Sequence, residues 1–231
     1  MAAVAREPSP ALEPVYVWDL VVRASHWVIV LSMIVLVVTG IDISSPFLDS
    51  GSGRPGFTHG WVKVVHYYAS IAFAVAVMAR LMWMFLGPRR SDWRQFIPTT
   101  KKRLRGLWDT LRFYALLRPR PMEAPGHNPL AGLAYAAIFG LFLVMIASGF
   151  ALYSVSAYTS YMKMWSVFLP LFGGPQGTRW VHHVTTWLLI IFAVQHVYSA
   201  LLTSRVEKNG TMDSMFSGYK FLPKDRESDD A

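Results

Sequence analysis

Four histidines fall inside long apolar runs of the chain: His26, His66, His182 and His196. An ionisable side chain at membrane depth is costly, and its presence points to function. His182 and His196 are separated by 14 residues. At about 100° per residue, that interval falls within about 40° of four whole turns, so both imidazoles leave one helix face roughly 21 Å apart along the axis. One helix therefore offers two stacked ligands. Two histidines per haem iron fill both axial positions, an arrangement suited to electron transfer with no site left for O2. Two haems b would use all four.

The elements that must carry these ligands follow from composition. The chain has 231 residues, 53% hydrophobic and only 16% charged, with a mean hydropathy of +0.33, which marks an integral membrane protein. Four stretches, residues 20–41, 64–86, 130–153 and 180–203, are long enough to cross a hydrocarbon core of roughly 30 Å. Backbone polar groups in lipid must be paired internally, so each is expected to be a helix. The fold class is an all-α membrane protein: a four-transmembrane-helix bundle binding two haems b, with residues 1–231 forming one integral-membrane domain.

The net charge of +8 does not point to nucleic acid, because of where it lies. Loop 87–129 holds ten Lys or Arg and the tail after 203 five more, whereas the two remaining loops hold Arg54, Lys63, Lys163 and Arg179. By the positive-inside rule the central loop and both termini are expected to be cytoplasmic. Topology then pairs the histidines by depth: His66 with His182 on the outer side, His26 with His196 on the inner side. An interhelical hydrogen bond, worth about 0.6 to 2 kcal/mol in membranes, explains any single buried histidine. It does not explain four matched in depth on three helices.

His183 competes with His182, but a 13-residue interval to His196 falls about 140° off whole turns and points it elsewhere. His59 and His127 lie in loops and read as surface histidines. Arg23, Arg80 and Arg179 stand near the membrane edges, where an arginine can contact the anionic propionates of haem; snorkelling accounts for them equally well. Gly40, Gly140 and Gly149 could admit a flat macrocycle, or serve ordinary helix packing. There is no cysteine, which excludes disulfides, thiolate-bound iron–sulfur clusters and covalently attached haem.

Residues 1–19, with three prolines and little periodicity, read as a loose cytoplasmic lead-in that stays attached to the first helix. Within the cytoplasmic loop, Leu104, Leu107, Trp108 and Leu111 share one face among basic residues, the pattern of an interfacial amphipathic helix. Loop 154–179 carries Tyr158, Tyr161, Trp165, Phe168 and Phe172. These suit a membrane-edge belt or a docking face for an outer partner.

In order and spacing these motifs resemble the b-type cytochrome subunit of membrane-bound nickel–iron uptake hydrogenases, across nearly the whole chain. The resemblance rests on Arg23-Ala24-Ser25-His26-Trp27, Val38-Thr39-Gly40, Gly126-His127-Asn128-Pro129-Leu130 and Ser148-Gly149-Phe150-Ala151-Leu152-Tyr153-Ser154. It continues through Trp180-Val181-His182-His183, His196-Val197-Tyr198 and Ser217-Gly218-Tyr219. It implies that His26, His66, His182 and His196 are the haem ligands. It also implies a periplasm-facing hydrogenase of a small iron–sulfur subunit and a large nickel–iron subunit, whose electrons pass through this chain to quinone. The H2 chemistry would then lie in the partners, within an H2:quinone oxidoreductase complex. By similarity to the related formate dehydrogenase cytochrome, the quinone would sit near His127 and Asn128. Two other readings stay open: the same module serving formate dehydrogenase or thiosulfate reductase, and a haem-free transporter using histidines as proton or zinc ligands.

Overall fold

The computed structural model describes residues 12–47, 58–88, 91–93, 108, 129–207 and 210–223. Four long helices dominate: α1 (Leu20–Ser44), α2 (Thr58–Leu86), α3 (Pro129–Ser154) and, after two short helices, α6 (Gly174–Glu207). All four are long and apolar enough to cross a membrane. They begin where apolar runs begin and exceed the expected spans most at α2 and α6, which each start six residues early. The hydropathy signal locates the part in hydrocarbon, but the helix continues into the interface, where water can pair its first N–H groups.

Several small hydroxyl residues run through these helices without breaking them because they return their protons to their own backbone. Ser25 Oγ donates to the Val21 carbonyl at 2.6 Å, Thr178 Oγ1 to Gly174 at 2.8 Å and Thr186 Oγ1 to His182 at 2.9 Å. The polar residues turn inward: Ser25, Ser32, Thr39, Ser148, Ser154, Thr178 and Thr185 are buried. Large apolar side chains such as Leu31, Ile34, Val75, Ile191 and Val194 are exposed along the same helices. That distribution is unstable in water and suits lipid, where helix association relies on close packing and small residues.

α1 packs chiefly on α2, and α3 on α6, with a thinner seam between α2 and α3. Midway along the bundle, Ile29, Phe73, Ala76, Val77, Ile138, Phe142 and Leu189 form a buried apolar waist. Phe142 meets Phe73 edge-on at 5.2 Å and Phe139 at 5.8 Å.

Between α3 and α6 lie α4 (Ser160–Lys163), a turn of 3-10 helix (Met164–Val167) and α5 (Phe168–Leu171). Trp165 packs on Phe150 of α3 at 4.9 Å and on Phe168 at 5.7 Å, while Tyr158 is 98% exposed. Part of the aromatic belt is thus a lid on α3, and part points outward.

Residues 12–19, directly before α1, are not loose. Leu12–Tyr16 forms β1, antiparallel to β2 (Tyr219–Pro223), with Tyr16 opposite Tyr219. A further helical turn, α7 (Ser214–Ser217), precedes Gly218, which has φ +89°. The Gly218 carbonyl accepts from the amides of Val17 and Trp18 at 2.8 and 3.2 Å. A Cβ there would lie 2.6 Å from Tyr16 Cε2 and 2.9 Å from the Trp18 oxygen, so both conformation and space demand glycine. A strand whose partner lies at the other end of the chain leaves no local pattern, which is why residues 12–19 read as a loose lead-in. The proposed amphipathic segment, apart from Trp108, lies outside the described residues, as do His127 and Asn128.

Candidate functional site

The contacts between helices alternate in direction: the start of α1 meets the end of α2 and the tail, while the end of α1 meets the start of α2. Histidines therefore collect at two levels. At the level far from the termini, His66 stands about two turns into α2 and His182 about two turns into α6. Thr39 Oγ1 lies 2.8 Å from His66 Nδ1, and Ser148 Oγ lies 2.9 Å from His182 Nδ1. The following residue is glycine in both places. A Cβ on Gly40 would stand 3.4 Å from His66 Cε1, and one on Gly149 would stand 3.2 Å from His182 Cε1. Each histidine thus rests on a hydroxyl–glycine pair of the neighbouring helix, and the two imidazoles lie within electrostatic reach of each other.

Each hydroxyl has one proton to donate and a backbone carbonyl within reach of it: Val35 at 2.6 Å from Thr39 Oγ1 and Met145 at 3.2 Å from Ser148 Oγ. With the protons placed there, each oxygen accepts from Nδ1–H of its histidine, the tautomer whose Nε2 keeps a lone pair for a metal.

At the level near the termini, the rings of His26 and His196 are 6.4 Å apart, centre to centre. Two metal–nitrogen bonds of about 2 Å, with about 1.1 Å from each nitrogen to its ring centre, span roughly 6.2 Å when collinear. The observed separation is close to that span. Phe192 stacks on His196 at 5.5 Å and Tyr135 meets it edge-on at 6.1 Å. His26 Nδ1 is buried without a hydrogen-bond partner. Such an orphaned group implies a constraint or a partner still to come.

Among the described residues no three His, Cys, Asp or Glu side chains gather around one point. The donors come in twos, as a planar tetrapyrrole requires and tetrahedral zinc does not. The family profile described as prokaryotic cytochrome b561 matches residues 17–218. The chain belongs to the prokaryotic cytochrome b561 family. It is accordingly a multi-pass membrane cytochrome of the b type, and paired imidazoles and inward glycines fit the haem b that the family implies. A Cupriavidus necator protein named probable Ni/Fe-hydrogenase B-type cytochrome subunit is 33% identical over 215 residues, spanning 91% of this chain and 88% of its own. An Escherichia coli (strain K12) protein named probable Ni/Fe-hydrogenase 1 B-type cytochrome subunit is 34% identical over 214 residues, spanning 89% and 90%. A Rhodobacter capsulatus protein, named like the first, is 33% identical over 224 residues, spanning 92% and 83%.

The remaining candidates of this cytochrome divide by level. His183 is exposed on α6, a residue away from the inward-facing His182. Arg179 is exposed at the far level and donates to Gln176 Oε1 at 2.6 Å. At the level near the termini, Arg23 donates through Nη1 to the Phe216 carbonyl, while its Nε is buried without a hydrogen-bond partner. Trp27 Nε1 donates to Met215 at 3.0 Å and its ring packs on Phe216 at 4.5 Å. The tail is thereby fastened beside His26. Arg80 is buried in the field of Asp19. Gly40 and Gly149 make room for histidine rings, whereas Gly140 has nothing within 4 Å.

Three residues escaped the sequence reading. Thr39 and Ser148 were visible only as members of motifs, although the repeated hydroxyl–glycine pair was a usable signal. Asp19 looked like a flank residue, yet it caps α1 through Val22 N at 2.9 Å and accepts from Trp83 Nε1 at 2.9 Å and Ser91 Oγ at 3.0 Å. Burial pushes its carboxyl upward, but these three bonds and the Arg80 charge outweigh that and hold it below the usual carboxylate range.

Proposed function

We propose that this cytochrome anchors a periplasm-facing nickel–iron hydrogenase and carries electrons from H2 oxidation, through the small iron–sulfur subunit, across the bacterial inner membrane to quinone. The observation that carries the reading is the pairing of His26 with His196 at iron-bridging separation, together with a second pair held ready at the other end of the same bundle. The names of the relatives support the hydrogenase as partner. When bound, haem b supplies a one-electron ferric/ferrous couple closed to O2 by its two histidines. His66 and His182 hold one such group, His26 and His196 the other. The apolar waist between them keeps water out of the roughly 21 Å that separates the levels along α6.

In this reading Arg179 faces propionates at the outer level, and Arg23 and Arg80 do so at the inner level. His127 and Asn128, leading into α3, contact quinone on the cytoplasmic side, where both termini lie. The basic segment around Trp108 rests on that membrane face. If the quinol takes its protons from the cytoplasm, each inward electron works against the membrane potential at about 2.3 kcal/mol per 100 mV.

The test is gentle purification in detergent with a pyridine haemochrome spectrum quantified per chain, alongside analysis of co-purifying metals. Two haems b per chain, nickel in the complex, and loss of one haem in His182→Ala with none lost in His183→Ala are expected. Molybdenum in place of nickel would reassign the partner to a formate dehydrogenase or thiosulfate reductase type of enzyme. A colourless protein would sink the electron-transfer reading.

A further inference from the structure

The two levels differ in how their ligands are held. At the far level both imidazoles have a hydroxyl oxygen within hydrogen-bond distance of Nδ1, and in both cases a backbone carbonyl lies within reach of that hydroxyl's own proton. At the near level His26 Nδ1 is buried without an acceptor, and His196 lies between the aromatic rings of Phe192 and Tyr135. An N–H···O bond at one imidazole nitrogen raises the basicity of the other, and a more basic axial ligand favours ferric over ferrous iron.

We propose that Thr39 and Ser148 are positioning residues that fix His66 and His182 as Nδ1–H tautomers and make the haem between them the lower-potential of the two. The proposal rests on the two-haem reading and adds a direction to it: electrons descend from the His66/His182 level to the His26/His196 level. The glycine after each hydroxyl belongs to the same device. Gly40 and Gly149 let the imidazole approach the neighbouring helix closely enough for the hydroxyl to reach Nδ1. Neither Thr39 nor Ser148 is needed to touch the macrocycle; both act through the ring they hold.

The experiment is an equilibrium redox titration of the α-band absorbance in the purified full-length protein. The wave belonging to the far level is identified as the one that His66→Ala removes, and in the wild type it is expected to be the lower of two. Thr39→Val and Ser148→Ala are each expected to move that wave alone in the positive direction. The expected size is about a tenfold loss of ferric preference, about 59 mV for one electron. Thr39→Ser retains the hydroxyl and leaves the wave in place. Should Thr39→Val shed that haem while Thr39→Ser keeps it at the wild-type potential, the hydroxyl is what holds the ring, as proposed. Loss of haem in both, or equal shifts in both, would assign the effect to side-chain size and overturn the proposal. So would a wave that ignores both hydroxyl deletions, or a wild type in which the far level is the higher wave. A wild type without haem is a separate failure, overturning the cofactor reading along with this one.

Discussion

Gly149 shows how little space separates a usable ligand from a displaced one. The Cβ of an alanine there would stand 3.2 Å from His182 Cε1, so the imidazole must yield by a few tenths of an ångström while still hydrogen-bonded to Ser148. A shift of that size misaligns a metal ligand. Gly149→Ala is expected to lower haem occupancy at the far level or alter its spectrum, measured by haemochrome content and the α band. Gly140→Ala is the control, because nothing lies within 4 Å of its would-be Cβ. It should leave haem unchanged and stabilise the helix by up to about 1 kcal/mol, read as a higher unfolding temperature. Equal damage from both would show that helix flexibility, and not ring clearance, is what these glycines supply.

At the scale of elements, the end of the bundle that carries both termini is held by Asp19. One oxygen caps α1 and the other accepts from Trp83 on α2 and from Ser91 beyond it, so a single carboxylate sets how the two helices meet beneath His26. Since its folded-state affinity for protons is depressed, the charged form stabilises the fold above the unfolded-state value. That contribution is lost as pH falls through the lower folded-state value. Thermal unfolding should therefore show a loss of stability below about pH 4 that Asp19→Asn lacks. At neutral pH, Asp19→Asn keeps the cap and loses the second acceptor, costing about 1–3 kcal/mol. A pH profile identical in wild type and variant would show that another carboxylate governs the acid limb. The tail completes this end, with Trp27 and Arg23 tied to residues 215–216 and Gly218 closing the turn into β2.

The whole molecule is an antiparallel bundle with paired histidines at its two ends and hydrocarbon-like packing at its waist. That architecture puts Tyr158 and Met212 at opposite ends. The natural absence of cysteine makes the orientation directly readable. In whole cells converted to spheroplasts, Tyr158→Cys should react with a membrane-impermeant maleimide without lysis, and Met212→Cys only after it. The reverse pattern would invert the proposed orientation while leaving the bundle intact. Labelling of both from outside would contradict a bundle with an even number of spans.

Four spans were legible because lipid imposes a length and a composition that no other segment among the described residues satisfies. The inward face of α6 was legible too, because helical periodicity is local and turns a 14-residue interval directly into an angle. What spacing could not supply was any contact between segments distant in sequence. That Thr39 meets His66, that Ser148 meets His182, that Asp19 reaches Trp83 and that Leu12–Tyr16 pairs with Tyr219–Pro223 depend on which helices become neighbours. Periodicity says which way a side chain faces along its own axis. Only tertiary packing decides what it faces, and so which groups stand beside each imidazole.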